Sequence, residues 1–163
     1  MKLDLKNMPD IEYEKGEDIW LEPEDISKDF GISISEELTV SDKEMSRAAS
    51  YIDNSQKFTE KALNFLKLNL EDNTCDYYDV VNDFLVFHKE EMEAEDLNEF
   101  FGKYDPDLRT MFSALKMHHI NIYKDNEDVQ YVFDFGFDEE YSDEVLAVYF
   151  DNDENISFVS HES

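Results

Sequence analysis

Hydrophobic positions change their period twice along the chain. Up to residue 35 they alternate, in Ile11-Glu12-Tyr13-Glu14-Lys15, Asp18-Ile19-Trp20-Leu21 and Ile32-Ser33-Ile34-Ser35. A period of two places successive side chains on opposite faces, so this third predicts short strands. Gly16 offers a turn between the first two, and Pro23-Glu24-Asp25 and Gly31 bound the third. From Ser41 the period becomes helical. Ser41-Asp42-Lys43-Glu44 predicts a capping box, in which Ser41 accepts from the Glu44 backbone N–H and Glu44 reaches back to that of Ser41. Met45, Ala48, Ala49 and Ile52 follow at helical spacing. Phe58, Ala62, Phe65, Leu66 and Leu70 extend the stripe, in the same helix or after a break near Asp53-Asn54. A third helix is expected from about Thr74, burying Tyr77, Val80, Val81, Phe84, Leu85 and His88. Short helical turns over Leu97 to Phe101 and Leu108 to Leu115 come next, the second started through Asp105-Pro106.

Alternation returns after residue 116. Met117 to Tyr123 predicts one strand, and Val129, Tyr131, Phe133, Phe135 and Phe137 give the next a single aromatic face. Val145 to Phe150 is apolar on both faces, which predicts a central strand. Ile156, Phe158 and Ser160 predict a last strand, facing opposite to Ser157, Val159 and His161. The links 124–128 and 151–155 are turn-rich and short enough for hairpins. The order of strands, helices and a β-meander predicts one α+β domain over residues 1–163, with short N-terminal strands, central helices and a C-terminal antiparallel meander.

Charge alters this picture. The formal net charge is −28, and Asp125 to Ser163 holds thirteen Asp or Glu without a Lys or Arg. Such density repels itself and destabilises the compact state, which points to a basic partner. Aromatics make up 14% of the chain, so it carries the core-forming residues that acidic disordered tails lack. Direct binding of nucleic acid or an anionic membrane surface is disfavoured, because both need clustered Lys and Arg. Cys75 is the only cysteine, so no internal disulfide can form, and a reducing compartment is expected. Without a signal-like N-terminus or a long apolar run, the expectation is a cytoplasmic protein.

No catalytic signature accompanies the charge. Cys75 lies beside Asp72 and Asp76, which disfavour its thiolate, and has no recognisable partner. The four glycines are isolated, so no phosphate loop exists. Neighbouring His118 and His119 point to opposite faces of a strand and cannot easily share a metal. Asp151, Asp153, Asn155 and Glu162 match positions one, three, five and twelve of an EF-hand, but Ile156 stands where that loop needs Gly. The expectation is therefore a non-enzymatic protein with no metal and no cofactor.

Two acidic runs remain, Glu90-Glu91-Met92-Glu93-Ala94-Glu95-Asp96 and Asp138-Glu139-Glu140-Tyr141-Ser142-Asp143-Glu144. Each alone reads as a solvated segment. The second joins two strong strands and contains an aromatic, the composition of a binding hot spot on a rigid scaffold. The predicted partner-binding set is Asp134, Asp138, Glu139, Glu140, Tyr141, Asp143, Glu144, Asp151, Asp153 and Glu154, with Asp134 and the 151–154 turn expected near the loop. The function this favours is an inhibitor that binds a basic protein, most concretely an immunity protein occupying the positive active site of a nuclease toxin. A nucleic-acid mimic would need acids in longer, less interrupted rows and would compete for several unrelated DNA-binding proteins. A housekeeping protein whose charge serves only solubility would recover no basic partner.

His119 through Tyr123, Phe133-Asp134-Phe135, Ser142 through Val148 and the closing His161-Glu162-Ser163 also resemble a bacterial family. It is domain-of-unknown-function family 2004, small acidic cytosolic proteins whose chains often end in Trp-Glu-Ser. The resemblance is specific over residues 115–163, with His161 where the family often has Trp. It implies no residue role, and it adds a weak implication of an immunity protein.

Overall fold

The computed structural model describes residues 1–163. In chain order the elements are β1 (Lys2–Leu3), β2 (Ile11–Glu12), β3 (Ile19–Leu21), α1 (Pro23–Ile26), β4 (Gly31–Ile34), α2 (Glu36–Thr39) and α3 (Asp42–Asp53). There follow α4 (Ser55–Glu71), α5 (Tyr78–Glu91), α6 (Ala94–Phe101), α7 (Leu108–Phe112), β5 (Lys116–Asp125), β6 (Asp128–Gly136), β7 (Val145–Phe150) and β8 (Ile156–Glu162). The α+β architecture is as expected, with two corrections to how its strands pair.

Gly16 does not turn a hairpin. Leu3 pairs with Ile11 in a small sheet of its own, while Ile19 pairs with Ile34. Strand β4 then runs parallel to β5, Ile32 beside Ile120, so the meander is extended into one sheet of order β3-β4-β5-β6-β7-β8. A parallel neighbour needs a long crossover, and the helices between β4 and β5 supply it. Strand β7 is interior but one place from the edge. The middle of the sheet is β5 and β6.

The core lies on one side of this sheet. Ile32, Ile34, Ile120, Ile122, Phe133, Phe135, Leu146, Val148 and Val159 form a single cluster with Phe58, Leu66, Val81, Phe84 and Leu85 from the helices. Tyr51 stacks on Tyr131 with ring centroids 3.8 Å apart and on Phe58 at 4.4 Å. Helix α3 ends at Asp53 and α4 starts at Ser55, so of the two alternatives the stripe takes the break near Asp53-Asn54. Of the capping box, the Ser41 half forms, its Oγ accepting from the Glu44 N–H. The Glu44 carboxylate instead pairs with Lys124 at 3.0 Å. Helix α5 starts four residues later than expected yet buries Val81, Phe84, Leu85 and His88. Gly102, at φ +77, closes α6 in the left-handed conformation that other residues adopt at a cost.

The last strand corrects another expectation. Phe150 faces Ile156 while Tyr149 faces Phe158, so Ser157 is an extra residue, a β-bulge. The bulge turns Ile156 onto the core side with Val159, and leaves Phe158, Ser160 and Glu162 on the opposite face.

Candidate functional site

The two acidic runs meet. The cleft they form, about 360 Å³, is walled by the end of α5, the start of α6 and the 138–144 loop. Glu91, Glu93 and Asp96 line one side and Glu140, Asp143 and Glu144 the other, with no Lys or Arg among the lining residues. Forty-odd residues of sequence separate the runs, and a single buried contact brings them together. His88, 1% exposed on α5, sits with Nε2 2.8 Å from Ser142 Oγ, and its Nδ1 lies 2.8 Å from the Phe84 carbonyl. A carbonyl only accepts, so Nδ1 carries the proton and Nε2 accepts from the Ser142 hydroxyl. Burial, reinforced by His161, holds His88 below the usual histidine range, so it stays neutral near pH 7.

This latch has the spacing of a nucleophile and its base, but its surroundings do not suit acyl transfer. Ser142 Oγ also accepts the Glu144 N–H at 3.0 Å, and the Ser142 N–H is bonded to the Asp138 carbonyl. An oxyanion would form amid six carboxylates, whose field opposes the charge it carries. The contact is best read as structural, fixing the loop against α5.

The loop is stiff elsewhere too. Asp138 Oδ1 accepts from the Glu140 N–H at 3.0 Å, closing a turn, and Glu144 pairs with His161 at 2.6 Å. Tyr141 packs edge-on against Phe100, with centroids 5.1 Å apart. Desolvation and the carboxylates of Glu99, Glu140, Asp96 and Asp138 push its hydroxyl up. Among the loop acids, Glu140 and Asp143 are exposed and unpaired at the cleft. Glu139 lines a different hollow of about 370 Å³, with Asp138, His118 and Lys116.

The rest of the expected set lies apart from the loop. Asp151, Asp153 and Glu154 sit beyond the far end of β7, roughly 17 Å from Val145 by strand rise. That turn is tied down from inside: the Tyr51 hydroxyl donates to the Asp151 carbonyl, Tyr131 to Asn152 at 3.0 Å, and Lys57 pairs with Glu154 at 3.0 Å. Asp151 Oδ1 accepts from the N–H groups of Asp153 and Asn155. These residues serve the turn and stand outside the cleft. Glu162 lies opposite Val145, at the other end of β8 from Asp151, so the EF-hand spacing does not gather its ligands.

Asp134 is also removed from the cleft. It faces away from the core on β6, opposite His119 and Ala147. Desolvation, with Glu162 adding to it, raises its carboxyl to about 7. No hydrogen bond and no ion pair reaches it. On the same face His119 lies flat over Gly31, where an added Cβ would come 2.9 Å from Nδ1. Its Nε2 bonds Ser33 Oγ at 2.9 Å, and the Trp20 ring packs against it at a tilt, centroids 5.2 Å apart. Sequence patterning missed this group because its members come from three separate regions. The alternation that puts Phe133 and Phe135 inward did imply that Asp134 points outward.

Elsewhere, Cys75 has its thiol pushed up by burial and by Asp72 and Asp76. A hollow of about 690 Å³ between the N-terminal loop and the α3–α4 junction gathers no set of groups suited to catalysis. Asp53 on its wall is committed to the backbone N–H groups of Lys6 and Asn7. No helix is long and apolar enough to cross a membrane. No protein-family model matches the chain, and no match is found among curated proteins or solved structures.

Proposed function

We propose that the protein is a non-enzymatic binding protein whose acidic cleft receives a cationic segment of a protein partner. The carrying observation is that two acidic runs, separate in sequence, are latched into one cleft whose lining holds no Lys or Arg. Retaining six carboxylates at close quarters costs stability, and a complementary positive surface relieves that cost on binding. An immunity protein that blocks the phosphate-binding site of a nuclease toxin is the concrete form of this reading. The partner's own basic groups, arranged for phosphate, would meet Glu91, Glu140 and Asp143. The unbound cleft is already formed, so association is driven by steering, with rates that approach ~10⁸ M⁻¹s⁻¹ at low salt and fall steeply as salt screens the field.

The test compares two variants of equal net charge. One reverses Glu91, Glu140 and Asp143 to Lys, and the other reverses Asp125, Asp128 and Asp153, which lie away from the cleft. Basic protein retained by the wild-type chain at low ionic strength should be lost from the first variant and kept by the second. Equal loss from both would mean that net charge alone, and not the cleft, does the binding.

A further inference from the structure

The side of the sheet away from the helices is uncovered. Val132 and Ala147 are buried there by their neighbours but do not belong to the core cluster. Around them stand Trp20, 65% exposed, and Phe158, 50% exposed, with Tyr149 between. Pairing sets two rows across this face. One runs Trp20, Ser33, Asn121, Val132, Tyr149, Phe158, and the next Gly31, His119, Asp134, Ala147, Ser160. Neither row has a Lys or Arg.

Most polar side chains of the rows are hydrogen-bonded among themselves or to Glu22 and Glu162 beside them. Ser33 donates to Asn121 at 2.8 Å and accepts from His119. The Tyr149 and Ser160 hydroxyls both donate to Glu162, each at 2.6 Å. The Trp20 indole N–H donates to Glu22 at 2.8 Å. Asp134, in the middle, has no partner although His119 stands directly opposite it. The imidazole is turned away onto Gly31 and Ser33, and Gly31 is what lets it lie there.

We infer that this face is a second docking surface, for a protein segment that places an arginine guanidinium on Asp134. An unpaired carboxylate on a sheet face that also carries Tyr149, Phe158 and Trp20 fits that group in particular. Guanidinium forks onto a carboxylate, stacks on aromatic planes and sheds water more readily than an ammonium. A second copy of this chain is the wrong occupant, because the rows around Asp134 offer no Lys or Arg to meet the Asp134 of the other copy. Nucleic acid and anionic lipid fail for the same reason of charge. The surface lies on the opposite side of the sheet from α5 and does not depend on what fills the cleft.

Trp20 is the only tryptophan, so its fluorescence reports on this face alone. The probes are a blocked peptide of alternating arginine and valine and its lysine counterpart. The arginine peptide should change Trp20 emission, bind about tenfold more tightly than the lysine peptide, and lose about tenfold in D134N. In the cleft double variant E140Q/D143N its affinity should change by less than about twofold. In the wild-type chain the Asp134 carboxyl ¹³C signal should move on titration, a readout that needs no variant. Equal affinity for both peptides, indifference to D134N, or a static Asp134 signal would overturn the inference. So would sedimentation showing that the face closes on a second copy. Failure of the cleft variants in the preceding test would leave these results untouched, which keeps the two proposals separable.

Discussion

Replacing Asp134 by Asn should stabilise the protein, and only above a certain pH. Burial, with Glu162 nearby, moves the Asp134 carboxyl from 3.8 to about 7 on folding. The folded chain therefore holds this proton more tightly than the unfolded chain between those values. The stability it contributes is fully present below pH 3.8 and is lost as pH rises through about 7. At about 1.4 kcal/mol per pH unit, ionising Asp134 in the folded state costs at most about 4 kcal/mol. Water still reaches the half-buried side chain, which brings the expected cost to about 2 kcal/mol. Asn keeps the size and removes the charge. At pH 8, D134N should melt about 4–8 °C above wild type, given a chain of this length. At pH 4 the two should nearly coincide. Denaturant melts of both chains at several pH values give the difference curve, in which the other acids cancel, and a carboxyl ¹³C titration of Asp134 gives the pKa directly. Titration of Asp134 near 4, or an Asn variant no more stable at pH 8, would show that the carboxylate is already compensated. The description of an unpaired group would then be wrong. E162Q should shift the same titration downward by a smaller amount, since Glu162 is the lesser cause.

The His88 latch predicts the opposite slope: its lowered pKa means that stability is lost as pH falls below 6.5 toward the folded value, and H88L should flatten that limb in the same melts. H88A should cost about 2–3 kcal/mol at pH 8, since it opens a cavity and leaves Ser142 without an acceptor, and hydrogen exchange should show the 138–144 loop loosened. Gly31→Ala should destabilise by about 1–3 kcal/mol and alter Trp20 emission. Its Cβ would meet His119 Nδ1 at 2.9 Å and the Leu21 carbonyl at 3.0 Å, the second being backbone that cannot step aside. F133A, at the centre of the core side, should cost about 3–5 kcal/mol by denaturant melt, against under about 1 kcal/mol for K57A at the exposed pair with Glu154.

What was legible in the sequence follows from how local each signal is. Strict alternation from Val129 to Phe137 identified β6 and its core face, because the pleat period is a property of the strand itself. The break at Asp53-Asn54 was only one of two open alternatives, whereas the buried stripe of α5 was visible through the helical period in the same local way. Pairing across long separations was not. Ile11 chooses Leu3, and Ile19 chooses Ile34, because those registers bury apolar side chains, a result that no turn residue at Gly16 encodes. The parallel contact of β4 with β5 and the bulge at Ser157 are equally silent. The candidate site divided along the same line. Glu140, Asp143 and Tyr141 were legible as a loop between strong strands, while the joining of that loop to Glu91 and Asp96 hangs on His88 and Ser142. Asp134 and Asp151 were grouped with the loop through a meander drawn flat, in which the two ends of β7 look closer than they are.

The distribution of charge gives the remaining argument about purpose. Much of the −28 is harmless, because carboxylates on exposed turns are solvated and several are used, as Asp53, Asp138 and Asp151 are, to hold backbone N–H groups. Solubility alone would be served by acids of that kind. It does not account for six carboxylates facing one another across a latched cleft, nor for Asp134 left half-buried and unpaired beside a histidine turned the other way. Both arrangements oppose folding, and a single substitution would relieve the second. Stability surrendered at a defined place is what a binding surface requires when its partner supplies the missing charge. The cleft and the open face meet this description independently, on opposite sides of one sheet. On the two proposals together, a cationic partner would be engaged at two places at once, and two weak contacts joined through a rigid scaffold would bind more tightly than either alone.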